Sequence, residues 1–427
     1  MKFATASREE IAQRFEDAGK RYAQLGVDVE AALKTLAATP ISLHCWQGDD
    51  VHGFEVHDGP VAGGGIMSTG NYPGCAVNAD MLRSDAELAL SLIPGAKRFN
   101  LHAIYAETDG HAVDRDQLQP EHFSRWMEWA KRLGLALDFN PTYFGHPLAN
   151  SGYTLSSADN DVRKFWIRHG IASRRIAEAM GKAQNGPCFV NHWIADGAKD
   201  QPADRLAPRR RLVESYDEIF AADVSSEYCR DAVESKLFGI GSEDYVVGSH
   251  EFYMGYVMNR KNVMLTFDMG HFHPTETIHD KISAISLFRR ELLVHISRGI
   301  RWDSDHVVIF NDDLRNLFQE LVRTGMLPHT AVALDFFDGS INRIGAWVVG
   351  TRAAQRAMLY ALLEPTQLLR DFDSNGDGAM KLALLEELKT MPWEAVYDEF
   401  CARNQCVAGA AVINNLIDID RNVIRKR

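Results

Sequence analysis

The sequence predicts an α/β protein, a (β/α)8 TIM barrel with a helix ahead of the first strand and an all-helical C-terminal extension. Three observations predict it. Eight short apolar runs alternate with stretches of helical pattern, as in a parallel sheet whose strands are buried on both faces. Eight such units fill most of the first 345 residues, which favours a closed barrel over an open doubly wound sheet; periodicity alone does not report closure, so the open sheet stands as the alternative. Polar side chains gather at the C-terminal end of every run, where barrel enzymes place their chemistry.

In chain order, Ile11, Phe15, Tyr22 and Leu25 share one helical face over 8–25, with Ser7 as the N-cap. The runs read as strands are 41–47, 98–105, 135–140, 187–194, 231–238, 263–271, 292–298 and 331–337. Helical pattern covers 79–92, 120–133, 160–181, 208–221 (with Pro208 as its first residue), 250–259, 274–290 and 311–325. Past about 345 no further strand pattern occurs, and 343–365, 378–391, 393–403 and 409–425 read as helices. The expected division is therefore a catalytic barrel at 1–345 and a helical extension at 346–427 that contacts a neighbouring subunit. The Gly-rich stretch 61–74 lacks the spacing and flanking elements of a phosphate cradle and reads as a cover over a site.

Composition narrows the class. The chain has 427 residues, 46% hydrophobic and 24% charged, as in an ordinary globular protein. A net charge of -12 argues against a nucleic-acid partner, which needs a basic face. Six scattered cysteines without a CxxC pair make no disulfide framework. The charged N-terminus has no apolar leader core, and no apolar stretch approaches the ~18 residues of a membrane span. A cytoplasmic protein with no membrane partner is expected.

The chemistry concentrates between Glu234 and Asp335. Glu234 and Lys236, Asp268 and His271, His295, Asp303 and Asp305, and Asp335 each lie at or just past the end of an apolar run. Five carboxylates and two imidazoles exceed what one divalent cation needs, and oxygen with imidazole donors suits Mn2+, Mg2+, Zn2+ or Co2+. A two-metal site is predicted. Taken singly, Asp268 and His271 also fit a helix cap, and Asp303 with Asp305 also fits a polar turn. Glu234 and Asp335 would be buried carboxylates, costly unless paired, protonated or metal-bound. Lys236, two residues after Glu234, is expected to point the same way from a strand and to stabilise an oxyanion. The segment from Asp371 to Gly376 opens like a calcium-binding EF-hand loop, but Leu382 stands where a bidentate Glu is needed, so it reads as an Asx-rich turn.

Assembled, these residues resemble L-rhamnose isomerases of the enterobacterial type. The matching blocks are HCWQGDD (44–50), TGNYPG (69–74), NLHAIYAE (100–107), LDFNP (137–141), DRLAPR (204–209), ESKLFGIG (234–241), EFYMGY (251–256), GHFHPTE (270–276), RWDSDH (301–306), LDFFD with SIN (334–342) and ALLEPT (361–366). The resemblance implies a homotetrameric aldose-ketose isomerase acting on a small sugar, L-rhamnose, with two divalent ions per subunit, Mn2+ foremost. It implies a structural ion on Glu234, Asp268, His295 and Asp335, and a catalytic ion on His271, Asp303 and Asp305 with Glu234 as a bridge. Asp303, Lys236 and His271 become the catalytic residues, and His102, Trp193 and Lys236 the sugar-binding ones. Two alternatives stay open: another aldose at the same site, or a metal-dependent barrel hydrolase of the phosphodiesterase kind.

Overall fold

Eight parallel strands close into a barrel in simple sequential order: β1 (Ile41–His44), β2 (Lys97–His102), β3 (Ala136–Asn140), β4 (Cys188–Trp193), β5 (Cys229–Glu234), β6 (Val263–Asp268), β7 (Leu292–Ile296) and β8 (Thr330–Leu334), with β8 pairing back onto β1. The structure, a computed structural model, describes residues 2–49, 53–55, 70–239 and 241–427. Closure disposes of the open-sheet alternative. Each of the eight apolar runs forms its strand, and most strands stop where the polar residues begin.

The period-two geometry of strands divides their side chains. Leu43, Phe99, Leu101, Leu137, Phe139, Val190, Val233, Leu265, Phe267, Val294 and Leu334 join the main buried core beneath the helices. The alternate positions form a separate interior. Ala232, Met264 and Leu293 make a small apolar cluster with Phe189 and Ala331. Beside it Arg98 forms a two-pronged ion pair with Asp138, which also accepts from the Ser42 hydroxyl. Above that level the interior is polar, and this change of polarity positions the site.

The N-terminal helix runs Arg8–Ala23 from a capping box made by Ser7 and Glu10. It lies on the helix Trp393–Arg403 of the extension, where Arg8 pairs with Glu399, and Arg403 bridges Glu399 and Glu30. The helix Arg343–Leu362 crosses the 345/346 boundary and packs into the barrel: Trp347 donates to the His44 carbonyl at 2.8 Å, and a Cβ on Gly350 would lie 2.3 Å from the Phe336 ring.

Several local readings need correction. A helix at Val29–Ala38, capped by Asp28, went unread because its short Ala-rich face resembles a linker to β1. The helix expected from Pro208 begins at Leu206, so Pro208 is its third residue, still within the first turn where no N–H is missed; the Asp204 carboxylate accepts from the first two amides. The helix expected over 274–290 is confined to His279–Ser286. Asp371 to Asn375 is not an Asx-rich turn but the second half of the helix Thr366–Asn375, which ends on Gly376 at φ 78°. A two-stranded antiparallel ribbon pairs Gly197–Ala198, after β4, with Tyr245–Val246, after β5, and had no sequence signal. Most of the Gly-rich 61–74 stretch lies outside the described residues; within it, Tyr72 N–H donates to the Gly339 carbonyl at 2.7 Å.

Candidate active site and metal centre

Neighbouring strands bring the predicted residues together at the C-terminal mouth of the barrel. Glu234 ends β5, Asp268 ends β6 and His295 sits on β7, in register opposite Asp268. Asp335 follows β8 directly. Oxygen and nitrogen donors of Glu234, Asp268, His295 and Asp335 lie within 4.8 Å of one another, and so do those of Asp268, His271 and Asp303. Asp268 thus belongs to both sets. His295 Nδ1 stands 3.0 Å from both Glu234 Oε1 and Asp335 Oδ2. His271 Nδ1 lies 3.4 Å from Glu234 Oε1, and its Nε2 lies 3.1 Å from Asp303 Oδ2.

Asp303 and Asp305 come from the loop after β7, closed by a bridge between Arg298 and His306. Arg301 and Asp305 both take left-handed backbone, with φ 70° and 44°. Such turns are uncommon outside glycine and collect at functional sites. Asp305 lines the same cavity as Asp303 but belongs to neither compact donor set.

Electrostatics show a strained cluster that could hold a cation. Burial, reinforced by Glu234, Asp335 and Asp303, pushes the Asp268 carboxyl up to about 7 against the pull of His271. Burial with Asp303 as neighbour raises Asp305 well above the usual carboxylate range. Burial opposes charge on both imidazoles, yet the surrounding carboxylates hold His271 and His295 well above the ordinary histidine value. Asp268 Oδ2, His295 Nε2 and Asp303 Oδ1 are buried with no hydrogen-bond partner among the described residues. A Cβ on Gly270 would fall 2.6 Å from Asp303 Oδ1 and 3.2 Å from Asp268 Oδ1, so any larger residue there would have to displace the Asp303 carboxylate. Clustered carboxylates that force protons onto one another, with unpartnered donors between them, suit hard or borderline divalent cations.

The cluster opens onto a cavity walled by Trp46, Phe144, Trp193 and Phe337, with His102, Asn140 and Thr142 on one side. His102 differs from a free sugar-binding imidazole. Its Nδ1 pairs with Thr142 Oγ1 at 2.8 Å and its Nε2 with the Asn140 amide at 3.0 Å. Burial, with Arg115 nearby, lowers its pKa to about 3, so it is a neutral ring that presents its edge and face. Lys236 lies beyond the end of β5 rather than on it, so strand alternation does not aim it. Its ammonium sits 5.9 Å from the Trp193 ring centre and 3.5 Å from the Ala195 carbonyl, with its pKa lowered by burial.

Sequence reasoning placed Asn140 among the polar strand ends but assigned no site role to Thr142, Phe144 or Phe337. Thr142 is β-branched yet held at φ 65°. The buried Arg115 enforces that shape by donating to the carbonyls of Thr142, Phe144 and Gly145. The Asn140-Pro141-Thr142 sequence at the end of β3 was the available sign of a turn at the mouth. Arg115, on a long excursion after β2, carried none.

Fold and site together define a (β/α)8-barrel protein whose mouth can hold divalent metal beside an aromatic-walled small-molecule cavity. The family model described as L-rhamnose isomerase (RhaA) matches residues 9–427, and the chain belongs to that family. An L-rhamnose isomerase of Rhodopirellula baltica is 55% identical over 417 residues, covering 98% of this chain and 97% of its own. That of Enterobacter sp. (strain 638) is 52% identical over 418 residues, covering 98% and 99%. A solved L-ribulose 3-epimerase overlaps with TM-score 0.47 at 14% identity, over 79% of this chain and 98% of that one. No helix among the described residues is long and apolar enough to cross a membrane.

Proposed function

We propose that this chain is a metal-dependent aldose-ketose isomerase that converts L-rhamnose to L-rhamnulose, the opening step of L-rhamnose use. The observation that carries the chemistry is the pair of donor sets sharing Asp268 and facing one aromatic-walled cavity. The relatives at 52–55% identity, themselves named L-rhamnose isomerases, supply the substrate.

Two divalent ions, Mn2+ foremost, fit the two sets: Glu234, Asp268, His295 and Asp335 for one, and His271 and Asp303 with Asp305 for the other, where Asp268 or Glu234 would bridge. When bound, they supply Lewis acids that polarise the sugar's oxygens. The protein's own groups do the rest. Trp193, Trp46 and Phe144 exclude water and pack the sugar's apolar face. Asp303 takes the proton from O2 and returns it to O1. The C2–H bond breaks with its electron pair and a C1–H bond forms, leaving the carbonyl at C2 and the alcohol at C1. Lys236 stabilises negative charge on the substrate oxygen. An enediol route would need a separate base above the carbon acid; Asp305, the cavity carboxylate outside the compact donor sets, is held toward its protonated form by burial beside Asp303 and is poorly suited to that role.

The assembly we propose is a cytoplasmic homotetramer, a catalytic barrel over 1–345 with subunit contacts through 346–427. Exposed Met380, Leu382 and Ile413 on the extension support that contact; light scattering should give four chains per particle. Metal-loaded protein turning over L-rhamnose in D2O should yield L-rhamnulose without deuterium at C1. Solvent deuterium at C1 would overturn the hydride path, and no ketose at all would overturn the substrate assignment.

A further inference from the structure

We infer that Asn191, held in orientation by Thr266, is a positioning residue for the metal cluster: it reserves one oxygen of Glu234 so that the other is presented to the cation. The inference rests on reading the cluster as a cation site. Asn191 stands two residues before Trp193 on β4, and Thr266 two residues before Asp268 on β6, so both point inward one level below the mouth. Strand β5 runs between them and carries Ala232 in register with Asn191. On its other side Ala232 is in register with Met264 and Glu234 with Thr266, so Asn191 and Thr266 meet diagonally across β5. The Thr266 hydroxyl donates to Asn191 Oδ1 at 2.8 Å, and Asn191 Nδ2 donates to Glu234 Oε2. Asn191, Thr266 and Glu234 are all buried.

Hydrogen-bond chemistry makes the arrangement directional. Thr266 has one proton, and spending it on the amide oxygen turns the amide N–H2 toward the carboxylate. Glu234 Oε2 is thereby fixed, and Oε1 is left facing His295 and His271. The same division recurs independently at Asp268. Its Oδ1 accepts from Gly270 N–H at 2.6 Å and from the Ser297 hydroxyl at 3.0 Å, while Oδ2 has no partner. A neutral amide is the suitable group beneath Glu234. A lysine or arginine would cancel the charge meant for the cation, and a carboxylate would repel it.

The test measures metal binding in the absence of sugar. The parent, Asn191→Leu, Thr266→Val and Thr266→Ser are each stripped with EDTA and titrated with Mn2+ against a chromophoric chelator, with thermal unfolding of the stripped proteins as a folding control. Loss of partners behind a metal ligand typically weakens binding about 10–100-fold, and Asn191→Leu should fall in that range. Thr266→Val should weaken binding by a smaller factor, and Thr266→Ser, which keeps the hydroxyl, should restore it. Folded Asn191→Leu binding within threefold of the parent overturns the inference, as does Thr266→Ser binding as weakly as Thr266→Val. If Asn191→Leu does not fold, the near-isosteric valine and serine pair decides. A parent that binds no Mn2+ removes the cation reading and this inference with it. A parent that binds Mn2+ and isomerises, beside variants that bind equally well, removes only this inference.

Discussion

Gly270→Ala should separate the geometry of the site from the stability of the fold. Gly270 follows β6 at the centre of the donor cluster, and its backbone does not require the left-handed region. The added methyl would lie 2.6 Å from Asp303 Oδ1 and 3.1 Å from Ser297 Oγ. Restoring ordinary contact displaces the Asp303 carboxylate by about 0.8 Å, and a misplacement near 1 Å costs on the order of 100-fold in rate. That loss corresponds to about 2.7 kcal/mol of barrier. Asp303 sits on a surface loop that can give way, so the barrel itself should be unaffected. The assay is ketose formation at saturating L-rhamnose and Mn2+, with circular dichroism and thermal unfolding in parallel. A roughly 100-fold drop in kcat in a folded protein is expected. A variant within threefold of the parent would refute the placement of Asp303 beside the reacting atoms.

Other outcomes follow from the same structure. Asp303→Asn keeps the shape but loses the proton carrier, so turnover should vanish while the unfolding temperature stays near the parent's; near-parental activity would remove Asp303 from proton transfer. In metal-stripped protein Asp268, raised to about 7, and His271 and His295, also raised, hold protons more tightly folded than unfolded. Their contribution to stability is therefore complete at low pH and is lost as pH rises through the folded values. The unfolding temperature of stripped protein should fall between pH 5.5 and 8, more steeply than that of Mn2+-loaded protein; parallel curves would contradict the cluster electrostatics. The Arg174 guanidinium, buried at 5% exposure, binds both oxygens of Asp231 at 3.0 Å and the Ile219 carbonyl at 2.8 Å. Arg174→Met leaves the buried Asp231 carboxylate with the His192 ring at 3.1 Å but without its guanidinium, and should destabilise by about 3 kcal/mol, read from denaturant unfolding.

The barrel was legible because each strand is a short apolar run followed by a polar residue, a pattern that survives without any knowledge of closure. Glu234, Asp268, His295 and Asp335 were legible for the same reason: a carboxylate or imidazole ending an apolar run needs a partner. Closure was not, since β8 meets β1 across nearly 300 residues of sequence and no local pattern encodes that pairing. Lys236 was aimed by strand alternation, but β5 ends at Glu234, and its direction comes instead from the loop and from Trp193. Sharing of Asp268 between two donor sets depends on side-chain positions from different strands, which spacing does not contain. The Asn191–Thr266 bridge escaped for a similar reason. Asn191 reads as one more polar residue near a strand end and Thr266 as an ordinary strand position, and only the closed sheet brings the two together across β5.

The central claim is tested most directly by following ketose formation from L-rhamnose with EDTA-stripped protein, before and after adding Mn2+. The account predicts no turnover without metal and robust turnover with it. Turnover unchanged by stripping would contradict the metal centre, and absence of turnover of L-rhamnose with Mn2+ restored would contradict the proposed function.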